Sequence, residues 1–395
     1  MLSIEHRAIV KSTVPLLEAG GEALTTHFYE LLLTTHPEVQ PFFNQANQQS
    51  GHQQRALANG VLMYARHIDE LEKLGDLVAV IVNKHVSLQI LPEHYPLVGA
   101  CFLRSIREVL GAEVATDAVI EAWAAAYGQL ADILIGAEKA VYDELASLPG
   151  GWRGGRAFTV IRKQAESNEI SSFYLAPSDG GAVVVHRPGQ YIGLRIVVNG
   201  QDVRRNYSLS AASDGLHYRI SVKREPGGLV SNHLHDQVRI GDELELFPPS
   251  GHFTLKESAK PLVLISGGVG ITPTLAMLQV ALDTERPIRF IHAARDAGAH
   301  AFRDWIDALA EQHPQLERFY CYARHDDAAD SAAPHGVGYI GLDQLASWMP
   351  EERDVDAYFL GPAPFMRAMK KNLALLGVPE KQTHFEFFGP ATSLE

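Results

Sequence analysis

Nine residues, Leu148-Pro149-Gly150-Gly151-Trp152-Arg153-Gly154-Gly155-Arg156, separate two hydrophobic patterns that no single element can satisfy. Their glycines and proline hold neither helix nor strand. Before them, from Met1 to about Ser147, apolar residues recur at helical spacing without period-2 alternation. After them short alternating strands appear. The chain therefore reads as an all-helical unit over 1–147, a linker over 148–156 and a β-containing remainder. Trp152 either anchors the linker on a neighbouring surface or stands partly exposed. At 395 residues, two or three domains are expected.

Charge and cysteine bound the partners. A net charge of −13 creates no basic field to draw in nucleic acid or an anionic membrane. No apolar run in the sequence reads as a bilayer-spanning helix, and Met1-Leu2-Ser3-Ile4-Glu5-His6 lacks the features of a signal peptide. The two cysteines, Cys101 and Cys321, fall in different parts of the chain, so a structural disulfide is not expected and a reducing cytoplasm fits. The expectation is a cytoplasmic monomer with no nucleic-acid partner and no stable membrane insertion.

Within 1–147 the breakers Gly20-Gly21, Pro37, Pro41, Gly75, Pro92, Pro96 and Gly111 mark off six to eight helices, enough for one compact core. Four of these helices carry a polar group on or beside the apolar stripe. About 76–90 shows Leu74, Val78, Ile81, His85 and Leu88; about 51–68 shows Gln53 with Leu57, Gly60, Val61 and Tyr64. About 22–35 sets Tyr29 beside Phe28, Leu32 and Leu33. The helix from about Asp117 carries Glu138 among Trp123, Tyr127, Leu130, Leu134, Val141 and Leu145. A buried carboxylate is costly unless hydrogen-bonded, so Glu138 requires a partner. His85 fits either a satisfied core histidine or a metal ligand. The four groups either share a pocket or are unrelated.

From Ala157 to about Leu255, strands at 158–161, 172–175, 190–198, 218–222 and 243–246 alternate with turns. One short helix follows Gly227-Gly228-Leu229-Val230-Ser231-Asn232, and its N-terminal amides suit a pyrophosphate. Here lie Pro188-Gly189-Gln190-Tyr191 and Arg205-Asn206-Tyr207-Ser208-Leu209-Ser210. Period-2 alternation puts Arg205 and Tyr207 on one side. The guanidinium can then hold a phosphate while the ring covers an isoalloxazine. The same residues also suit an ordinary strand with a surface Arg and a half-buried Tyr.

Pro261-Leu262-Val263-Leu264-Ile265-Ser266 reads as a buried strand, followed by Gly267-Gly268-Val269-Gly270-Ile271-Thr272-Pro273-Thr274-Leu275. The glycines admit a ligand close to the backbone, Thr272 is expected to cap the next helix and Pro273 to fit its first turn. This is a strand, glycine loop and helix for phosphate, without the G-x-G-x-x-G spacing. Strands at 289–293 and 319–322 alternate with helices, as a doubly wound sheet requires.

Together these blocks resemble the flavohemoglobins, over essentially the whole chain and in order. Lys84-His85-Val86-Ser87-Leu88-Gln89-Ile90-x-Pro92-Glu93-x-Tyr95 resembles that family's proximal haem segment, Pro41-Phe42-Phe43 its corner, and Asn47-Gln48 through Gln53-Gln54-Arg55-Ala56-Leu57 its distal segment. The resemblance implies an all-α globin domain over 1–147, then a ferredoxin-reductase-like module: an antiparallel β-barrel FAD domain over 157–257 and an α/β doubly wound NAD(P)H domain over 258–395. It implies His85 as axial ligand of haem b, and catalytic roles for Tyr29, Tyr95 and Glu138. Glu138 would polarise the imidazole N–H and Tyr29 would hydrogen-bond bound oxygen. Phe43, Gln53 and Leu57 would complete the haem pocket. Tyr191, Arg205, Asn206, Tyr207, Ser208 and Phe388 would contact FAD; Gly268, Val269, Gly270, Ile271, Thr272 and Pro273 would contact NAD(P)H.

The tail His384-Phe385-Glu386-Phe387-Phe388-Gly389-Pro390 resembles the family's C-terminal segment, and Lys84 with Glu386 its redox-tuning pair. Asp356-Ala357-Tyr358-Phe359-Leu360-Gly361-Pro362 resembles its second nicotinamide-side motif. Leu360 and Phe387 stand where the family usually has Cys. The implied activity is an NAD(P)H-dependent nitric oxide dioxygenase, oxidising nitric oxide with haem-bound dioxygen to nitrate, electrons passing from NAD(P)H through FAD to haem. The alternatives are a gas-sensing or oxygen-binding globin whose reductase keeps its iron ferrous, and a flavin reductase whose helical part has lost haem.

Overall fold

The structure, a computed structural model, describes residues 2–44, 48, 51–325 and 333–389. Asn47 and Pro390 of the quoted motifs lie outside the described residues. The helical part comprises α1 (Ile4–Ser12), α2 (Val14–Thr35), α3 (His52–Arg66), α4 (Gly75–Leu88), α5 (His94–Leu110) and α6 (Asp117–Ser147), with 3₁₀ turns at Pro37–Phe42 and Leu71–Leu74. Gly20-Gly21 do not start a helix as expected; α2 runs through them. A Cβ on Gly21 would already touch Ala58 at 3.4 Å, and Thr25 Oγ1 donates to the Gln54 carbonyl at 2.9 Å. Close packing of α2 on α3 offsets the roughly 1 kcal/mol that each helical glycine costs.

One further expectation is corrected: α6 is long and apolar enough, by length and composition, to cross a bilayer. It is nonetheless the central helix of the helical part, burying Trp123, Ala126, Leu134 and Glu138.

The linker is pinned. Trp152 Nε1 donates to the Leu246 carbonyl at 3.3 Å, and the indole packs against the Arg156 guanidinium and the ring of Phe158. Beyond it six antiparallel strands follow: β1 (Arg156–Ala165), β2 (Ile170–Pro177), β3 (Tyr191–Val198), β4 (Gln201–Ser208), β5 (Tyr218–Lys223) and β6 (Glu243–Leu246), in the order β4-β3-β6-β1-β2-β5. A bridge from Leu209 to Ile220 joins the two edges, so the sheet curls into a barrel around Phe158, Phe173, Ile192 and Leu244. Helix α7 (Leu229–Asp236) lies between β5 and β6.

The last part is a parallel sheet of β7 (Leu262–Gly267), β8 (Ile288–Ala294), β9 (Leu316–Tyr322), β10 (Gly336–Val337), β11 (Asp356–Leu360) and β12 (Thr383–Phe385). Its order is β10-β9-β8-β7-β11-β12, with α8 (Ile271–Leu282), α9 (Arg303–Gln312), α10 (Leu342–Trp348) and α11 (Ala363–Leu375) completing the unit. The chain winds one way from β7 to β10 and returns to the other side at β11. The topological switch point therefore lies between the C-terminal ends of β7 and β11, where such sheets bind ligands.

Candidate active site

Helix α4 carries Val82 and Val86 into the protein, and the same face brings His85 to α5 and α6. There Glu138, 2% exposed, accepts two hydrogen bonds: from His85 Nδ1 at 2.7 Å and from the Tyr95 hydroxyl at 2.5 Å. This partner is what the buried carboxylate required. Burial first, and then the Glu138 carboxylate, push the Tyr95 hydroxyl pKa well up, so it stays a donor. Both contacts of the imidazole fall on Nδ1, which leaves Nε2 as the nitrogen facing outward from Glu138.

Tyr29 lies on α2, Gln53 and Leu57 on α3, and Phe43 just after the first 3₁₀ turn. Tyr29 is buried, its ring edge-on to Phe43 at 5.6 Å, and its side chain hydrogen-bonds that of Gln53. Burial raises the Tyr29 pKa, keeping its proton at neutral pH. The buried side chains of this part form two clusters, one with Tyr29, Phe28 and Leu32, the other with Tyr95, Val86 and Leu134. Phe43, Leu57, Val61, Leu88 and Val98, although apolar, remain only half-buried. Among the described residues His85 Nε2 has no hydrogen-bond partner, and with half-buried apolar side chains on the surrounding helices it fits a haem.

On β4 and β3, Tyr191 is buried, Tyr207 half-buried and Ser208 9% exposed. Burial lowers the Arg205 pKa while Tyr207 pulls it back, and Arg205 Nη1 donates only to the backbone carbonyl of Arg204 at 2.7 Å. Among the described residues no carboxylate pairs with Arg205, so its charge is free for a phosphate. This fits the anionic half of a flavin nucleotide. The Asn206 side chain turns the other way and donates to Ser87 Oγ of α4 at 2.9 Å. Phe388 is 52% exposed.

At the switch point Gly267-Gly268-Val269-Gly270 joins β7 to α8. Gly268 has φ +55° with open space where a Cβ would be, whereas a Cβ on Gly270 would strike the Leu360 carbonyl at 2.5 Å. Thr272 does not cap the helix; its hydroxyl instead donates to the Val269 carbonyl at 3.0 Å, tightening the loop. Leu360 is buried at the end of β11, opposite Ser266. The open side of Gly268 and the bare N-terminus of α8 suit a dinucleotide pyrophosphate.

Lys84 and Glu386 do come near each other. Lys84 Nζ donates to the Gly389 carbonyl, burial lowers its pKa and the charge of Glu386 opposes that. Burial pushes Glu386 up to about 7, with Lys84 opposing. Sequence reasoning missed Arg204, Asn83 and Gly193, each of which makes a contact between the helical part and the barrel. The alternation of β4 was the only signal for the first.

Three family profiles match: Globin over residues 26–134, Oxidoreductase FAD-binding domain over 157–255 and Oxidoreductase NAD-binding domain over 264–371. The chain is 65% identical over 395 residues to a flavohemoprotein of Pseudomonas putida, covering 100% of both chains. It is 66% identical over 397 residues to a flavohemoprotein of Burkholderia sp. strain TH2, again covering 100% of both. Its fold matches the crystal structure of a flavohemoglobin from Malassezia yamatoensis with bound FAD and haem, at TM-score 0.86 and 25% identity, covering 98% of this chain and 100% of that one. It also matches the FAD/NAD-binding domain of a nitric oxide dioxygenase from Vibrio cholerae, at TM-score 0.55 and 41% identity, over 60% of this chain and 100% of that one. The chain belongs to the flavohemoproteins, oxidoreductases in which a haem-binding globin domain precedes FAD- and NAD-binding domains.

Proposed function

We propose that the protein is an NAD(P)H-dependent nitric oxide dioxygenase, acting as a cytoplasmic monomer on nitric oxide and dioxygen. Its working units are residues 1–147 for haem, 157–257 for FAD and 258–395 for NAD(P)H. The observation that carries this reading is the buried Glu138 carboxylate on His85 Nδ1, backed by the Tyr95 hydroxyl. When bound, NAD(P)H would donate a hydride, FAD would accept it and pass electrons on singly, and haem would supply an iron at which dioxygen oxidises nitric oxide to nitrate.

The chain's own residues do the rest. Glu138 holds the Nδ1 proton and makes Nε2 a strongly donating ligand, as oxygen activation demands and a mere oxygen carrier does not. Tyr29, held protonated by burial and steadied by Gln53, offers its hydroxyl proton to whatever occupies the distal side of the haem pocket. Phe43 and Leu57 wall that side and exclude water. Arg205 holds a flavin phosphate, while Tyr191, Tyr207, Ser208 and the backbone of Asn206 contact the cofactor and Phe388 covers its ring until the nicotinamide arrives. Gly268 to Pro273 receive the dinucleotide. Lys84 and Glu386, with shifted pKa values at the module boundary, tune the potentials on either side. The domain of a nitric oxide dioxygenase from Vibrio cholerae, at 41% identity, supports the assignment.

The test is an anaerobic titration of the purified protein with NADH under carbon monoxide. Flavin bleaching together with a ferrous–CO Soret band is the expected result. Bleaching with no Soret change would mean that electrons never reach the helical domain.

A further inference from the structure

Strand β4 is two-sided. Alternation sends Arg205 and Tyr207 to one face and Arg204 and Asn206 to the other. The second face meets the end of α4, the helix of His85. Arg204 Nη1 donates to the Leu88 carbonyl, and Asn206 Nδ2 donates to Ser87 Oγ at 2.9 Å. The Arg204 guanidinium sits 4.4 Å from the Phe42 ring and 5.2 Å from the Phe247 ring, one aromatic from each domain. Leu88 is the last residue of α4, and Gln89 after it is left-handed at φ 59°. A cation at that carbonyl also complements the negative end of the helix.

Neighbouring contacts land on the same helix. The Gly251 amide donates to Asn83 Oδ1 at 2.8 Å, and Lys84 donates to the Gly389 carbonyl. A Cβ on Gly193 of β3 would collide with the Ser87 carbonyl, so only glycine allows this approach. Asn83, Lys84, Ser87 and Leu88, on either side of His85, are thus each held by the FAD domain or the C-terminal segment. His85 itself points away, to Glu138 and Tyr95.

We infer that Arg204 and Asn206 are positioning residues that clamp the His85 helix to the back of the flavin-contacting strand, so that one strand, and not the linker, sets the separation of the two redox sites. The inference rests on the haem and flavin assignments proposed above. Shared glue would show only in stability, whereas positioning shows in how fast the haem is reduced once the flavin is.

The experiment uses the holoprotein, comparing wild type with Arg204→Met, with Ser87→Ala as a conservative second variant made from the opposite side. Rapid anaerobic mixing with NADH under carbon monoxide follows flavin and haem bands separately, and hydrogen exchange follows the amides of residues 83–90. The expected result is unchanged flavin bleaching, haem reduction slowed about tenfold in Arg204→Met and less in Ser87→Ala, and exchange of 83–90 accelerated about tenfold, as loss of one hydrogen bond to a charged group implies. Arg204→Lys keeps the charge but not the planar stack and should fall between. Wild-type haem reduction in both variants overturns the inference, even if exchange is faster. Should the wild type bleach its flavin without reducing haem, the functional reading fails, and exchange alone then decides whether the clamp exists: rates at the wild-type value overturn it.

Discussion

Replacing Glu138 by Gln keeps the side-chain shape and one acceptor oxygen but removes the charge that His85 Nδ1 and the Tyr95 hydroxyl both address. Hydrogen bonds to a charged acceptor contribute about 1.5–3 kcal/mol and are roughly twice as strong as neutral ones. Losing the charge from two such bonds therefore costs on the order of 2–3 kcal/mol. At about 1.4 kcal/mol per tenfold, and with part of that loss shared by the resting state, turnover should fall roughly 10–100-fold. Because Gln keeps an acceptor oxygen for His85 Nδ1, haem content should fall far less than turnover. The assay is nitric oxide consumption at saturating NADH and oxygen, paired with the iron–histidine stretching frequency of the ferrous protein. The frequency should drop together with turnover. A variant within twofold of wild type, with its frequency unmoved, would refute the argument that the carboxylate strengthens the ligand.

Tyr29→Phe should retain haem and reduce at the wild-type rate yet lose most nitric oxide turnover, since only the donated proton is gone; unchanged turnover would count against the assigned role. Gly268→Val forces a branched side chain into φ +55° and into the open side of the loop, so the Michaelis constant for NADH should rise at least about tenfold while FAD stays bound. Acid should destabilise the NAD domain through His292, which burial pushes down to about 3 against the opposing hydrogen bond with Ser266. A depressed folded pKa contributes stability that is present above about pH 6.5 and lost as pH falls toward 3. At pH 5 that loss is about 2 kcal/mol. Urea midpoints at pH 7 and pH 5 should therefore differ less in His292→Gln than in wild type, and equal differences would contradict this.

The His85 helix and the Glu138 stripe were legible because a 3.6-residue period records which face is inward, and a buried carboxylate announces a missing partner. That His85 was the partner was not legible from periodicity, since it depends on the docking of α4 and α6. Gly20-Gly21 misled because propensity registers their cost in isolation and not the close approach of Ala58 that offsets it. Thr272 misled because a hydroxyl beside a glycine loop can satisfy a carbonyl as readily as an amide. Alternation along β4 placed Arg204 and Asn206 on one face, but nothing local says that the covering surface is α4, 116 residues earlier for the Arg204–Leu88 contact. Interfaces between domains are written in both partners, and each half alone looks like an ordinary surface.

The most direct test of the central claim is the stoichiometry of nitric oxide loss on an electrode, with nitrate and NADH measured in the same vessel. The account predicts that consumption requires both oxygen and NADH and that each two molecules of nitric oxide yield two of nitrate per NADH oxidised. Nitric oxide decaying at the rate of buffer while NADH oxidation continues, or nitrate failing to account for the nitric oxide consumed, would contradict it.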